Sequence, residues 1–471
     1  MTLGDLLAAA PLIVLAGGAC LVLAADLVVR LPARGAACLG ATVAAVAAVL
    51  AARLGPGTAG FGGALERDGG ALFFVALVAA GAAGALLIAA DYLAREDLPA
   101  AEFVALVLFS ATGAGLMAAG GDLLVVFLGL ELLSLPLYAL TGLLARARHA
   151  DEAALKYFLL GAAASAVFLY GVALVYAATG TIRLDVLARG ATPPGPLAFA
   201  GFALLLCGIA FKAALVPFHA WAPDVYEAAP PPATAFMALA AKTGAFAALL
   251  RIQAATSGGA AMAAMADWRA ALAAVAALTI VVGNLAALGQ RRVRRLLGWS
   301  SVAHAGYLAA AAAAGADIAA PFVAFYLVVY GTLSLASFGL LTLLPDDDPT
   351  LDDLGGLFRR SPLVAVGFVV VLVGLTGLPP TAGFLAKLYV FEALAQAHLL
   401  WLLIIGVLAS VVSAAYYLRV ALACFAPPRA EAMPTGGRRL AGFVVALATL
   451  LSLALGVAPL PLLELVRQVR Y

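Results

Sequence analysis

Two short segments decide the fold of this chain: VPFHAWAP at residues 216–223 and GLPPTAG at residues 377–383. They interrupt apolar stretches of 33 and 34 residues, which run over 197–229 and 362–395, whereas one membrane helix needs about 17–25 residues. Proline cannot donate a backbone hydrogen bond and breaks a helix interior. Each stretch is therefore predicted to be a discontinuous membrane helix that is interrupted near its middle.

The composition is that of a membrane protein. Of the 471 residues, 65% are apolar and 11% are charged, and the mean hydropathy is +1.10. A soluble globular chain has about 45–50% apolar and about 25% charged residues, so a water-soluble enzyme and a nucleic-acid-binding protein are both excluded. The cysteines lack the spacing of a zinc or iron–sulfur site, so no metal site is expected. They are Cys20, Cys38, Cys207 and Cys424.

Apolar runs separated by Arg, Asp, Pro and Gly predict an all-α polytopic protein with about fourteen spans. The spans are 5–29, 36–52, 70–90, 102–119, 121–144, 153–178, 197–229, 230–252, 268–288, 296–314, 318–344, 362–395, 400–425 and 438–458. The interrupted spans are the seventh and the twelfth, and their odd offset makes them cross the membrane in opposite directions. Matched broken helices of this kind are typical of inverted-repeat transporters.

The chain is accordingly predicted to form one membrane domain over residues 1–471 with two inverted five-helix repeats. The predicted parts are an N-terminal group of spans 1–3 (1–101), a first repeat of spans 4–8 (102–252), a second repeat of spans 9–13 (268–425) and span 14 (438–458).

The distribution of arginine predicts the orientation, because cytoplasmic loops carry the excess of Lys and Arg. With the N-terminus outside, the inner connections hold fourteen arginines: Arg30, Arg34, Arg95, Arg146, Arg148, Arg291, Arg292, Arg294, Arg295, Arg359, Arg360, Arg429, Arg438 and Arg439. The outer connections hold eight: Arg53, Arg67, Arg183, Arg189, Arg251, Arg269, Arg467 and Arg470. Both termini are therefore predicted to lie on the outer side of the membrane.

Lysine is confined to the apolar part of the chain. There are 23 Arg and only four Lys, and Lys156, Lys212, Lys242 and Lys387 all lie within or at the edge of long apolar stretches. A desolvated lysine can lose its proton, whereas arginine stays charged under nearly all conditions. The segregation therefore indicates proton transfer at the lysines, and the alternative for each of them is a static ion pair.

Three further ionisable residues lie at membrane depth: Glu131 in the fifth span, His219 inside the first interruption and His304 in the tenth span. A charged group at this depth is costly and is a functional candidate by default, and histidine suits a proton relay. The alternatives are a structural ion pair for Glu131 and ordinary hydrogen-bonded core residues for the histidines. On a helix, Ser300, His304 and Tyr307 share one face.

Several motifs resemble those of a known family. LVPFHAWAPDVYEAAPPPATAFMALAAKTGAF (215–246), RRLLGWSSVAHAGYL (294–308) and GLTGLPPTAGFLAKLYV (374–390) are similar to blocks of the antiporter-like membrane subunits of respiratory complex I, which are related to Mrp-type antiporters. LGLELLSLPLYAL (128–140) and EAALKYFLLGAAASAVFLYG (152–171) resemble the subunit N group of bacterial NADH:quinone oxidoreductase more narrowly. The resemblance covers roughly residues 100–425.

The resemblance implies a proton relay on Glu131, Lys212, Lys242 and Lys387, with Lys156 as an additional member. It also implies a bacterial inner membrane location and other membrane and peripheral complex I subunits as partners. NAD, FMN, iron–sulfur clusters and quinone would reside in those partners, with no redox centre in this chain and no nucleic acid bound. Lys387, and the end of the chain at Tyr471 without a lateral helix, favour subunit N over its relatives L and M.

The chain departs from the family pattern at three positions: Ala228 and Ala386 replace usual glycines, and Pro380 makes a double proline. These changes leave every charged position in place. Composition, topology and lysines fit an Mrp-type Na⁺(K⁺)/H⁺ antiporter subunit equally well, so this alternative is distinguished only by the subunit N motifs and the chain end. A purely structural membrane anchor fits the four central charges poorly.

Overall fold

The fold is described here from a computed structural model that covers residues 2–144, 149–189, 195–256, 262–427 and 438–469. In these ranges the chain is helical, and its extended pairings are isolated bridges. The helices are α1 (Leu3–Val29), α2 (Ala33–Arg53), α3 (Gly69–Glu96), α4 (Ala100–Ala119), α5 (Leu123–Gly142), α6 (Ala150–Thr179), α7 (Leu184–Ala188), α8 (Pro196–Ala213), α9 (Trp221–Ala228), α10 (Pro231–Thr256), α11 (Met262–Leu288), α12 (Val293–Ala313), α13 (Ala316–Thr342), α14 (Leu357–Arg360), α15 (Pro362–Thr376), α16 (Ala382–Gln396), α17 (Leu400–Ala423), α18 (Arg439–Val457) and α19 (Leu460–Val466), with one 3-10 turn at Phe61–Gly63.

Among the described residues, twelve helices are long and apolar enough to cross a membrane. The chain is thus a multi-pass membrane protein. Two of the fourteen predicted spans fall outside this group: α12, and the pair α15 and α16, whose members have only 15 residues each.

Both predicted interruptions are present. The helix α8 ends at Ala213 and α9 begins at Trp221, and α15 ends at Thr376 before α16 begins at Ala382. The first interruption is displaced toward the N-terminus relative to the proline-based boundaries. The reason is that Pro223 lies in the first turn of α9, where a missing backbone donor costs nothing because that N–H has no helical partner.

The helix α10 lies at the centre of the fold. Its apolar window is completely buried, and α3, α4, α8, α12 and α13 pack around it. Because it is buried on all sides, Lys242 in its middle is surrounded by protein and is only 2% exposed. The outer helices α1, α6, α17 and α18 are much less buried and turn apolar faces outward.

Alternate connections meet on two opposite faces of the bundle. On one, called the Asp347 face, Arg95 binds Asp347 at 3.4 Å and Arg438 binds the Leu344 carbonyl at 2.9 Å. On the other, called the Asp68 face, Asp68 caps α3 and binds Arg251 at 2.7 Å. Of the arginines used for the orientation, Arg146, Arg148, Arg429 and Arg470 lie outside the described residues.

Candidate functional site

Lys212 lies in the last turn of α8, directly before the first interruption, and is 1% exposed. Its ammonium donates to the Ser134 hydroxyl on α5 at 2.8 Å and to the Tyr157 hydroxyl on α6 at 3.2 Å. The left-handed residue Ala214, with φ of 61°, ends the half-helix just beyond it. A cation in this last turn is favoured by the negative end of the helix dipole.

Glu131 is not hydrogen-bonded to Lys212 in this structure. It lies one turn before Ser134 on α5, and its Oε1 atom is buried without a hydrogen-bond partner. Among the described residues, the hydrogen bonds of the Lys212 ammonium go to the Ser134 and Tyr157 hydroxyls, and none goes to a carboxylate. Serine and tyrosine hydroxyls therefore hold Lys212 while the Glu131 carboxyl stays separate.

Lys242 binds a branched cluster of hydroxyl groups. Its ammonium donates to Ser301 Oγ at 2.5 Å. The Ser301 hydroxyl donates to the Tyr226 hydroxyl at 3.2 Å and accepts from the Tyr330 hydroxyl at 2.8 Å. Ser301 thus connects α10 with α9 and α13, and each of its neighbours can pass or accept a proton.

His304 lies on α12 one turn after the serines and is 6% exposed. Its Nδ1 lies 2.6 Å from the Tyr326 hydroxyl and its Nε2 lies 3.2 Å from the Tyr417 hydroxyl. The Tyr417 hydroxyl is also hydrogen-bonded to that of Ser300. A tyrosine of α17 therefore joins the helix face that Ser300, His304 and Tyr307 were predicted to share. The His304 ring lies 5.0 Å from the ring of Tyr330, next to the Lys242 cluster.

Lys387 lies on α16, after the second interruption, and is 4% exposed. Its ammonium donates to the Thr376 carbonyl at 2.8 Å and to the Ser410 hydroxyl at 2.7 Å, and it lies 4.9 Å from the centre of the Tyr307 ring. Thr376 is the last residue of α15, whose final carbonyls lack helical partners. Lys212 therefore lies in the last turn of the half-helix α8, and Lys387 binds the C-terminal end of the half-helix α15.

These groups form a polar chain through the second half of the bundle. Hydrogen bonds join Lys242 to Ser301 and Ser301 to Tyr330, and another joins His304 to Tyr326. Ring contacts link Tyr330 to His304 and Tyr326 to Tyr307, with centroids 5.0 and 6.5 Å apart, and Lys387 lies over the Tyr307 ring. Beyond Tyr157, the connection from Lys212 to this chain consists of aromatic ring contacts alone. The ring of Tyr157 stacks on that of Trp221 with their centroids 4.3 Å apart, and the ring centroids of Trp221 and Tyr226 lie 6.4 Å apart.

Lys156 and His219 are not joined to this chain by any hydrogen bond among the described residues. The Lys156 side chain is 47% exposed and binds Glu152 at 2.5 Å and Asp224 at 3.3 Å. His219 lies in the first interruption, where its Nδ1 atom is buried without a partner and its ring lies 5.5 Å from that of Trp299.

A polar cavity of 340 Å³ opens on the Asp347 face, and Asp346, Asp347, Asp348 and Arg294 are among its lining residues. Burial raises the pKa of Asp348 to about 6, although Arg294 and Arg292 oppose the shift. The Arg294 side chain is 2% exposed and donates to the carbonyls of Tyr226 and Ala229 at the end of α9. Arg294 therefore connects this cavity with the helix that carries Tyr226.

The sequence pattern did not single out most of the hydroxyl partners. Only Ser300 and Tyr307 were placed with His304, by helical spacing. No periodic pattern in the sequence marks the others as partners, so only the folded structure assigns them to the lysines and to His304: Ser134, Tyr157, Tyr226, Ser301, Tyr330, Ser410 and Tyr417.

Known proteins resemble this chain over most of its length. The family model described as NADH:quinone oxidoreductase/Mrp antiporter, TM, matches residues 120–413. NADH-quinone oxidoreductase subunit N 1 of Sorangium cellulosum (strain So ce56) is 41% identical over 412 residues, which are 84% of this chain and 81% of that protein. A chain of respiratory complex I from Thermus thermophilus with bound aureothin is 39% identical with a TM-score of 0.83, covering 96% of this chain and 98% of its own.

A chain of the Mrp complex from Dietzia sp. DQ12-45-1b has a TM-score of 0.79 at 23% identity, over 100% of this chain and 97% of its own, and supports the fold alone. The family match spans well over half of the sequence, and the relative from Sorangium cellulosum is aligned over most of both chains. The chain therefore belongs to the NADH:quinone oxidoreductase/Mrp antiporter transmembrane family.

Proposed function

We propose that this chain is the proton-translocating antiporter-like subunit, of the subunit N type, in a bacterial NADH:quinone oxidoreductase. The observation that carries the proposal is the state of the three central lysines. Each ammonium is at most 4% exposed, and its hydrogen bonds go to hydroxyl or carbonyl oxygens. A buried ammonium without a fixed negative partner can give up its proton, because desolvation disfavours its charged form.

The proposed architecture has fourteen spans with two inverted repeats, α4–α10 and α11–α17. Corresponding neighbours pack together in both halves: α4 on α5 as α11 on α12, and α8 on α10 as α15 on α17. The half-helices α8 and α15 both end in a left-handed residue, Ala214 and Gly377. These correspondences support the repeat boundaries inferred from the sequence.

Protons enter from the Asp347 face, which we take as the inner side because it carries the excess of arginine. They reach Lys242 near Tyr226 and pass through the hydroxyl and imidazole groups to Lys387. Each step transfers one proton from a donor to the next acceptor, and the last one is released outward near Lys387. Both termini then lie on the outer side.

Glu131 and Lys212 act as the coupling switch. When the carboxylate approaches the ammonium, attraction favours the charged pair, and separation favours release of the lysine proton. The structure holds the separated arrangement, with Lys212 on Ser134 and Tyr157. Lys156, which binds Asp224 of α9, and His219, inside the first interruption, are proposed as outlying members of the relay.

The energy for this cycle comes from partner subunits that hold NAD, FMN, iron–sulfur clusters and quinone. Two similar proteins that align over most of both chains support a place in such a complex, because one is named as an NADH-quinone oxidoreductase subunit and the other is a chain of respiratory complex I. An Mrp-type cation/proton antiporter subunit is the second candidate, but the Mrp chain shares only 23% identity and supports the fold without the partners.

Purification from the native membrane in mild detergent tests the assignment. We expect the chain to co-purify with flavin- and cluster-bearing subunits in a complex that reduces quinone with NADH. A stable complex made only of other membrane subunits, with cation-driven proton exchange in liposomes, would refute the assignment in favour of the antiporter.

A further inference from the structure

The outer surface of α18 forms one wall of an apolar groove of 450 Å³ that the proton path does not use. The other walls are the C-terminal end of α13, with Leu343, and the first turns of α15, with Leu363 and Val366. Leu363 is 87% exposed, so the groove opens outward from the bundle. Arg438 lies at its end on the Asp347 face.

The groove has the depth of one membrane leaflet. On α18 its lining runs from Arg438 to Leu450, which corresponds to about 18 Å at a rise of about 1.5 Å per residue. The hydrocarbon core is about 30 Å thick, so a groove of this length accommodates one acyl layer. A transmembrane helix of another subunit crosses both leaflets and would extend well beyond a groove of this length.

The end of the groove is positively charged. One Nη atom of Arg438 donates to the Leu344 carbonyl, and the guanidinium keeps further donors for a ligand. Arg439, directly after it, is exposed on the same face. Guanidinium groups bind phosphate oxygens through strong charge-assisted hydrogen bonds.

We propose that the groove between α13, α15 and α18 binds one anionic phospholipid, with an acyl chain along Gly442 and Val445 and its phosphate on Arg438. The apolar lining, the one-leaflet length and the terminal cation together match the two parts of such a lipid. The bound lipid fills a gap between α15 and α18 that these helices leave open to the bilayer.

Gly442 gives a direct test, because it lines the groove and a Cβ atom placed there meets no atom within 4 Å. The matched control is Gly17 on α1, where a Cβ atom also meets nothing within 4 Å. The full chain in native membrane vesicles is labelled with phosphatidylglycerol or phosphatidylcholine carrying a photoreactive acyl chain, and the cross-linked peptides are mapped.

We expect labelling of α15 and α18 by phosphatidylglycerol to exceed that by phosphatidylcholine about tenfold, the effect of about 1.4 kcal/mol. Gly442→Phe should abolish this labelling, Gly17→Phe should leave it unchanged, and Arg438→Gln should remove the preference for phosphatidylglycerol while labelling persists. Equal labelling by both lipids in the unmodified chain, or labelling that survives Gly442→Phe, would overturn the proposal. Lipid labelling that appears on a neighbouring subunit's helix and not on α15 and α18 would overturn it as well.

Discussion

We expect Ser301→Ala to uncouple proton movement in this chain from NADH oxidation. The Ser301 hydroxyl joins the Lys242 ammonium at 2.5 Å to the Tyr330 hydroxyl at 2.8 Å. A hydrogen bond to a charged group contributes about 1.5–3 kcal/mol. If that amount is added to the transfer barrier, the step slows roughly 10- to 160-fold, since about 1.36 kcal/mol is tenfold in rate.

The assay compares NADH oxidation with acidification of inverted membrane vesicles, and the ratio of protons moved to NADH oxidised is the readout. Ser301→Thr keeps the hydroxyl and should restore the ratio. Ser452→Ala is the matched control, because this serine is 1% exposed and its hydroxyl has no hydrogen-bond partner. An unchanged ratio in Ser301→Ala would refute the hydroxyl connection between Lys242 and Tyr330.

Three further predictions concern residues around this path. Lys212→Ala or Glu131→Ala should lower proton transport with assembly of the complex intact, and normal transport in either variant, measured in the same vesicles, would show a structural role. Arg294→Gln should lower the thermal unfolding midpoint, because it removes hydrogen bonds to the carbonyls at the end of α9 and so costs about 1.5–3 kcal/mol in the free energy of unfolding. The control Arg359→Gln, at an exposed position, should leave the midpoint unchanged, and equal midpoints in the two variants would contradict a stabilising role for Arg294. Folding raises the pKa of Asp348 from 3.8 to about 6, so the native state binds the proton more tightly, and the thermal unfolding midpoint of the protein should rise as pH falls from 7 to 5. Asp348→Asn should flatten that rise, and a variant with the same pH profile as the unmodified protein would count against the burial of this carboxyl.

The two interruptions could be predicted from the sequence because length and proline are local signals. A stretch of more than 30 apolar residues exceeds one membrane crossing, and the prolines mark where the helix ends. The exact restart of α9 at Trp221 could not be predicted in this way. Proline is tolerated in a first turn, so Pro223 alone does not distinguish a loop from a new helix.

The depth of Lys212, Lys242 and Lys387 was also predictable, because each lies far from the ends of an apolar run. Their partners were not. Ser134 and Tyr157 meet Lys212 across 78 and 55 residues of sequence, and such long-range contacts leave no periodic signal in one chain. The same limit applies to the tyrosines around His304.

The state of Glu131 shows a further limit of sequence reasoning. Its charge and depth predict a partner for Lys212, yet Ser134 lies on the same face of α5 one turn later and takes the ammonium in this structure. Two acceptors on one helix face therefore compete for one lysine. A sequence identifies both acceptors, whereas only a structure shows which of them is bound.

In the proposed function, the buried lysines carry protons and do not only supply fixed charge. Lys242→Arg tests it most directly, because arginine keeps the positive charge and does not release its proton in proteins. The measurement is the number of protons moved per NADH oxidised by the assembled complex in liposomes. We expect Lys242→Arg to lower this number as strongly as Lys242→Met. A Lys242→Arg complex that pumps as the unmodified one does would show that Lys242 supplies only a fixed charge.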